Sequence, residues 1–193
     1  ENYSAVYRFS ALMREKVDPA ALQRAVDKTM PRFPGFGVRI RRGAFWCYLE
    51  PNPSPGPFVR PDMANPCQPV RFKEDNGWLI RFFYYEKRIS MEVFHAVSDG
   101  PGTTIFFRTL LAVYLREMGH SIPEGPGILD ITKPPRKEEL EDAYARYAGK
   151  KLLRGKLEKT AFPNTSPKEP FYTLNVTTGL VPVDQVRKAA KAC

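Results

Sequence analysis

His95 and Asp99 are the residues whose types and spacing point to chemistry. They stand in the run His95-Ala96-Val97-Ser98-Asp99-Gly100. Histidine is the side chain whose ordinary pKa lies nearest neutrality, so an imidazole there can deprotonate a hydroxyl, an amine or a thiol without extreme tuning. Asp99 can accept hydrogen bonds that fix the loop, or pair with an arginine. Gly100 can supply a backbone angle or a close approach that a side chain would forbid. Asp99 need not touch His95: four residues bring two groups to one side only in a helix, and Gly100-Pro101-Gly102 places the helix start after Asp99. A core histidine satisfied by hydrogen bonds beside a helix-start aspartate fits the same spacing. The residues alone leave both readings open.

The rest of the chain offers little competition. It has no Gly-x-Ser-x-Gly elbow, no phosphate-binding glycine loop and no His/Cys/carboxylate cluster at metal spacing. Cys47 falls inside an expected strand and reads as an inert buried thiol. The three cysteines, Cys47, Cys67 and Cys193, are too widely spaced for a disulfide framework or a metal site, and imply a reducing cytoplasm. His120, beside Gly119 at a helix end, reads as a dipole-complementing or surface residue.

The elements that must position His95 are legible from periodicity. Residues 78–85 and 88–95 form the strongest hairpin, turning at Glu86-Lys87, with Ile89, Met91, Val93 and His95 sharing one face. His95 therefore ends a strand at its carboxyl end, where open sheets place chemistry. A helix over 103–118 follows, with Phe107, Leu110, Leu111, Tyr114 and Met118 as its buried stripe and Gly119 as its cap. Upstream, residues 3–12 alternate as a strand. Asp18-Pro19 then opens a helix bearing Leu22, Ala25, Val26 and Met30, which Pro31 and Pro34 stop. A second hairpin is expected from 36–40 and 45–49. Residues 51–69, rich in proline, read as a surface connection with little regular structure. Downstream, a helix over 136–156 is acidic early and basic late, which complements the helix dipole and also suits docking of phosphates or an acidic carrier. A strand over 171–179 and an amphipathic helix over 182–192 complete the pattern.

Composition is that of an ordinary soluble domain, with 42% hydrophobic and 26% charged residues. The 193 residues are enough for one domain with a sizeable core. No apolar run approaches the roughly 20 residues that span a bilayer. The net charge of +9 admits an acidic partner, but no nucleic-acid motif and no aromatic–basic repeat is present. A solubilising basic surface accounts for the charge equally well.

The run from His95 to Gly100 resembles the His-x-x-x-Asp-Gly motif of the chloramphenicol-acetyltransferase-like superfamily, which includes alcohol acetyltransferases, condensation domains of peptide synthetases and polyketide-associated acyltransferases. Its context resembles the family too. Val17-Asp18-Pro19-Ala20-Ala21-Leu22 is similar to the start of the family's first helix. Arg32-Phe33-Pro34-Gly35-Phe36 is similar to the stretch before its hairpin, and Leu180-Val181-Pro182-Val183 to the crossover into its second half. The resemblance implies His95 as general base on the acceptor nucleophile, Asp99 as scaffold and Gly100 as the residue that leaves room beside a tunnel. Phe94 stands where many members carry a second histidine, which tilts the likeness from condensation domains toward alcohol acetyltransferases. The mid-chain motif also differs from single-domain trimeric members, where it lies near the carboxyl end.

The expectations are therefore specific. The fold is a two-layer α/β sandwich, a mixed and mostly antiparallel sheet with helices against it, forming one half of a two-domain acyltransferase. Residues 1–180 are the motif-bearing domain and 181–193 begin a crossover into a missing second half. The reaction is acyl transfer from acyl-CoA, acetyl-CoA for example, to an alcohol or amine, with no metal and no permanently bound cofactor. An acyl carrier protein as donor is the first alternative, and a non-catalytic interaction domain with a core His95 the second. Nucleic acid and membrane span are not expected, and the location is cytoplasmic.

Overall fold

The computed structural model describes residues 5–63, 65–141 and 179–192. The chain divides into two compact units, Glu1–Phe162 and Pro163–Cys193. The first contains β1 (Val6–Leu12), α1 (Pro19–Thr29), β2 (Val38–Arg42), β3 (Cys47–Pro51), β4 (Val59–Pro61), β5 (Ile80–Tyr85), β6 (Arg88–Phe94) and α2 (Gly100–Glu117). A four-stranded sheet runs in the order β1-β6-β5-β4, antiparallel except for the β4–β5 pair. Among the described residues β2 and β3 pair only with each other.

Alternation puts Tyr7, Phe9 and Ala11 of β1 opposite Val93, Met91 and Ile89 of β6, which in turn face Ile80, Phe82 and Tyr84 of β5. This apolar face meets Ala21, Leu22, Ala25 and Val26 of α1 and Phe106, Leu110 and Val113 of α2 in one core cluster. Phe106 sits at its centre, its ring 4.8 Å from Phe33, 4.6 Å from Phe36 and 6.0 Å from Phe82. α1 begins where its capping signal places it: the Asp18 carboxylate accepts from the Ala20 and Ala21 N–H groups at 2.8 and 2.9 Å. The β5–β6 turn is also as expected, with Glu86 in the left-handed region at φ 48°.

Several expectations need correction. α2 starts at Gly100 rather than 103; Phe107, Leu110 and Tyr114 are buried as expected, and Phe106 and Val113 join them. Leu111 is only half-buried and Met118 lies at the exposed margin. Its C-terminal end matches expectation: Gly119 takes φ 87° and the His120 N–H reaches the Leu115 carbonyl at 3.0 Å. The early hairpin lies two residues later than expected, because Phe36 closes a 3-10 turn (Pro34–Phe36) and drops into the core. Cys47 is exposed, not buried, because the β2–β3 ribbon stands off the sheet.

The proline-rich connection holds a strand after all, β4, three residues long and ending on Pro61 at the sheet edge. The chain that follows covers the second face of the sheet. There the register aligns Arg8, Glu92 and Arg81 in a row across β1, β6 and β5. Glu92, 2% exposed, accepts from Arg8 Nε (2.9 Å) and Nη2 (2.6 Å) on one oxygen and from Arg81 Nη2 (2.7 Å) on the other. The Cys67 N–H completes its shell at 2.5 Å. Around them Asp62 binds Arg8 and Arg88, and Asp75 binds Arg60.

Within 136–141 the expected helix is a single 3-10 turn, Lys137–Glu139. Tertiary contacts fix this segment: the Glu139 carboxylate pairs with Arg32 at 2.6 and 3.1 Å, and Arg32 also reaches the Asp130 carbonyl at 3.2 Å. The rest of that helix, 142–156, and the expected strand at 171–178 lie outside the described residues. In the second unit α3 (Val183–Ala192) starts one residue after its expected position, with Val183 and Val186 exposed. Among the described residues no helix is long and apolar enough to cross a membrane.

Candidate functional site

The site is built where β6 ends and α2 begins. β6 delivers the chain to His95, whose N–H continues the ladder to β1 by donating to the Ala5 carbonyl at 2.6 Å. The Val97 N–H bonds back to the Phe94 carbonyl at 2.9 Å, turning the chain sharply after the strand. His95 is exposed, so it is not a core histidine. Its backbone is fixed while its ring is free to meet a ligand. One side of that ring is taken by Tyr7, with centroids 4.9 Å apart at 60°.

Asp99 caps α2. Its carboxylate accepts from the Gly102 N–H at 2.9 Å, and its carbonyl accepts the Thr103 N–H at 3.1 Å. Among the described residues it makes no hydrogen bond or ion pair with His95, as the helix-start reading anticipates. Gly100 has open space: a Cβ there would meet nothing within 4 Å, so among the described residues neither packing nor backbone angle demands glycine. The demand falls on Gly102 instead, where a Cβ would come to 2.6 Å from Ser98 Oγ and 3.1 Å from Asp99 Oδ1. Phe94, which stands where many members of the resembled family carry a second histidine, turns to the other face and meets Phe72 edge-on at 6.4 Å and 81°.

Tyr7 is the residue the sequence did not single out. Its Oη lies 2.9 Å from the Ser98 carbonyl, 3.1 Å from the Asp99 carbonyl and 2.6 Å from Thr103 Oγ1. The phenol has one proton to share among these contacts, and either hydroxyl can be the donor between Tyr7 and Thr103. Burial pushes the Tyr7 phenol above its ordinary value, and the nearby Asp99 adds to the rise against the Thr103 hydrogen bond. It therefore stays protonated across the neutral range. One side chain thus supports the imidazole with its ring and ties the motif loop to α2 with its hydroxyl. Nothing local to the motif signals this, since Tyr7 lies at the other end of the unit.

The site offers an exposed imidazole at a fixed strand end, beside a capped helix start. No nucleophilic serine or cysteine contacts the imidazole among the described residues.

No family model matches this chain, and no curated protein matches it. Solved structures do. The starter condensation domain of rhizomide synthetase RzmA superposes with a TM-score of 0.51 at 12% identity, over 64% of this chain and 35% of that one. The chain has the fold of a condensation-domain half. SgcC5 protein from Streptomyces globisporus is also similar, with a TM-score of 0.49 and 16% identity over 64% of this chain and 32% of that one. The chain thus spans about a third of the length of the solved structures it matches. In this condensation-type fold the sheet and its two helices form one sandwich, with His95 exposed at the end of β6.

Proposed function

We propose that this chain is the motif-bearing half of an acyltransferase in which His95 is the general base. The observation that carries the reading is an exposed imidazole anchored at the carboxyl end of β6, beside a helix-capping Asp99, in a condensation-type fold. The step balances without a metal or redox partner. An imidazole nitrogen takes the proton of an acceptor hydroxyl or amine, whose lone pair attacks the thioester carbonyl. The tetrahedral adduct then expels the thiolate, which takes the proton back from the imidazolium. Asp99 and Tyr7 hold the loop and do not enter the chemistry.

The donor is acyl-CoA in this reading, and the acceptor an alcohol or amine. Residues 181–193 lead toward a second half that supplies the other wall of the site. A donor held on a carrier protein is the second reading, and the likeness to a synthetase condensation domain favours it. The experiment offers the longest chain that carries this domain both acyl-CoA and an acyl group on a phosphopantetheinylated carrier, over a panel of alcohols and amines. Acceptor-dependent release of CoA thiol supports the first reading. Transfer from the carrier alone replaces it with the second, and transfer from neither overturns both.

A further inference from the structure

The β2–β3 hairpin lies outside the site just described and forms a ribbon of its own. Every residue from 41 to 49 is exposed. Four of these are large and apolar: Phe45 at 91% exposure, Trp46 at 68%, Tyr48 at 45% and Leu49 at 43%. The Gly43 N–H donates to the Trp46 carbonyl at 2.7 Å and closes the tip. The Phe45 and Trp46 rings stand side by side there, centroids 6.4 Å apart. Two adjacent aromatic rings at the outermost point of a turn have no cover from the described residues, and such exposure marks an interaction surface.

Charge selects the occupant. Directly behind the rings, the register sets Arg42 opposite Cys47 and Arg41 opposite Tyr48. Glu50 binds both Arg39 and Arg41, at 2.6 and 3.1 Å, while Arg42 makes no ion pair among the described residues. Along the ribbon axis the order is therefore aromatic rings first, then cations. That is the order in which a bilayer interface presents its acyl boundary and then its phosphates. A protein pocket also accepts aromatic rings, but it has no general need for a cationic collar one residue pair behind them.

We propose that the β2–β3 tip docks this protein peripherally on membrane surfaces that carry anionic lipid. Phe45 and Trp46 enter the boundary between headgroups and acyl chains, and Arg41 and Arg42 pair with lipid phosphates. This contact is independent of the acyl-transfer reading.

The chain carries its own probe. It has two tryptophans, and the second, Trp78, is buried at 7% exposure with its indole N–H bonded to the Pro55 carbonyl at 2.9 Å. Within this domain a change in emission on adding lipid therefore reports Trp46, and a Trp46→Phe variant run alongside subtracts any signal from the rest of a longer chain. The test titrates the longest chain carrying this domain with phosphatidylcholine vesicles, with and without phosphatidylglycerol. Emission, acrylamide quenching and co-sedimentation are followed. The expected result is a blue shift, protection from acrylamide and sedimentation that strengthen with phosphatidylglycerol and weaken with salt. Arg41→Gln and Arg42→Gln each lower partitioning about fivefold, and Phe45→Ser abolishes insertion with the fold intact by circular dichroism. Any of four results overturns the proposal. These are no binding at any phosphatidylglycerol content, equal binding by the Phe45→Ser variant, Trp46 already shielded from acrylamide without lipid, or a shift that follows protein concentration instead of lipid.

Discussion

At the residue scale, the division of labour around His95 is testable one atom at a time. Asp99 acts through its cap, so Asp99→Ala is expected to cost about 1 kcal/mol, a fall in Tm of about 2–4 °C for a chain of this size. Asp99→Asn keeps an acceptor for the Gly102 N–H and should retain both stability and activity. Loss of activity at unchanged Tm in that variant would give Asp99 a chemical role that its contacts do not show. Tyr7→Phe leaves the ring against His95 and removes only the hydroxyl. It should cost about 1 kcal/mol in thermal melts, because Thr103 Oγ1 and the Ser98 carbonyl lose the phenol, while the Asp99 carbonyl keeps the Thr103 N–H. The local parts of this arrangement were legible in the sequence: a strand-end histidine, a helix-start aspartate and a Gly-Pro-Gly run. Tyr7 was not, since its partners Ser98 and Thr103 lie 91 and 96 residues away. No local pattern announces such a pairing.

At the element scale, the sheet is held on two faces by different physics. The face toward α1 and α2 is apolar and was readable from alternation. The other depends on the Arg8–Glu92–Arg81 row, which exists only once register is known. Glu92→Ala leaves two largely buried guanidinium groups facing each other without their shared carboxylate, and a loss of about 3–5 kcal/mol is expected in denaturant unfolding. A loss under 1 kcal/mol would show that the row is incidental. The Arg32–Glu139 pair gives a pH signature. The Arg32 guanidinium holds the Glu139 carboxyl at about 2, below its ordinary 4.5. The folded value lies below the unfolded one, so this stabilisation is complete above the ordinary carboxylate range and fades as pH falls from there toward about 2. Glu139→Gln should therefore melt lower than the natural protein near neutrality, and the two curves should converge in acid. A gap in Tm that stayed constant with pH would contradict this. β4 and the 3-10 turns at 34–36 and 137–139 escaped the sequence for a common reason. Each is three residues long, too short for any periodicity, and each is placed by tertiary contacts.

At the scale of the whole molecule, one sandwich presents an exposed imidazole on a condensation-type fold, with the aromatic hairpin as a separate feature. The fold class was legible because long alternating strands and a strongly capped helix dominate it. The proposed activity depends on what meets His95 on its exposed side. A two-walled site implies weak or no turnover by the 193-residue chain alone, and turnover by a longer chain that contains it. The most direct measurement is therefore acceptor-dependent thiol release from acyl donors by that longer chain, natural protein beside His95→Ala. Because His95 is exposed, the variant should melt within a degree or two of the natural protein. Its release should fall by about 10²–10⁴-fold, the range a general base supplies. Equal release from both proteins would remove His95 from the chemistry and contradict the assignment of this strand end as the catalytic site.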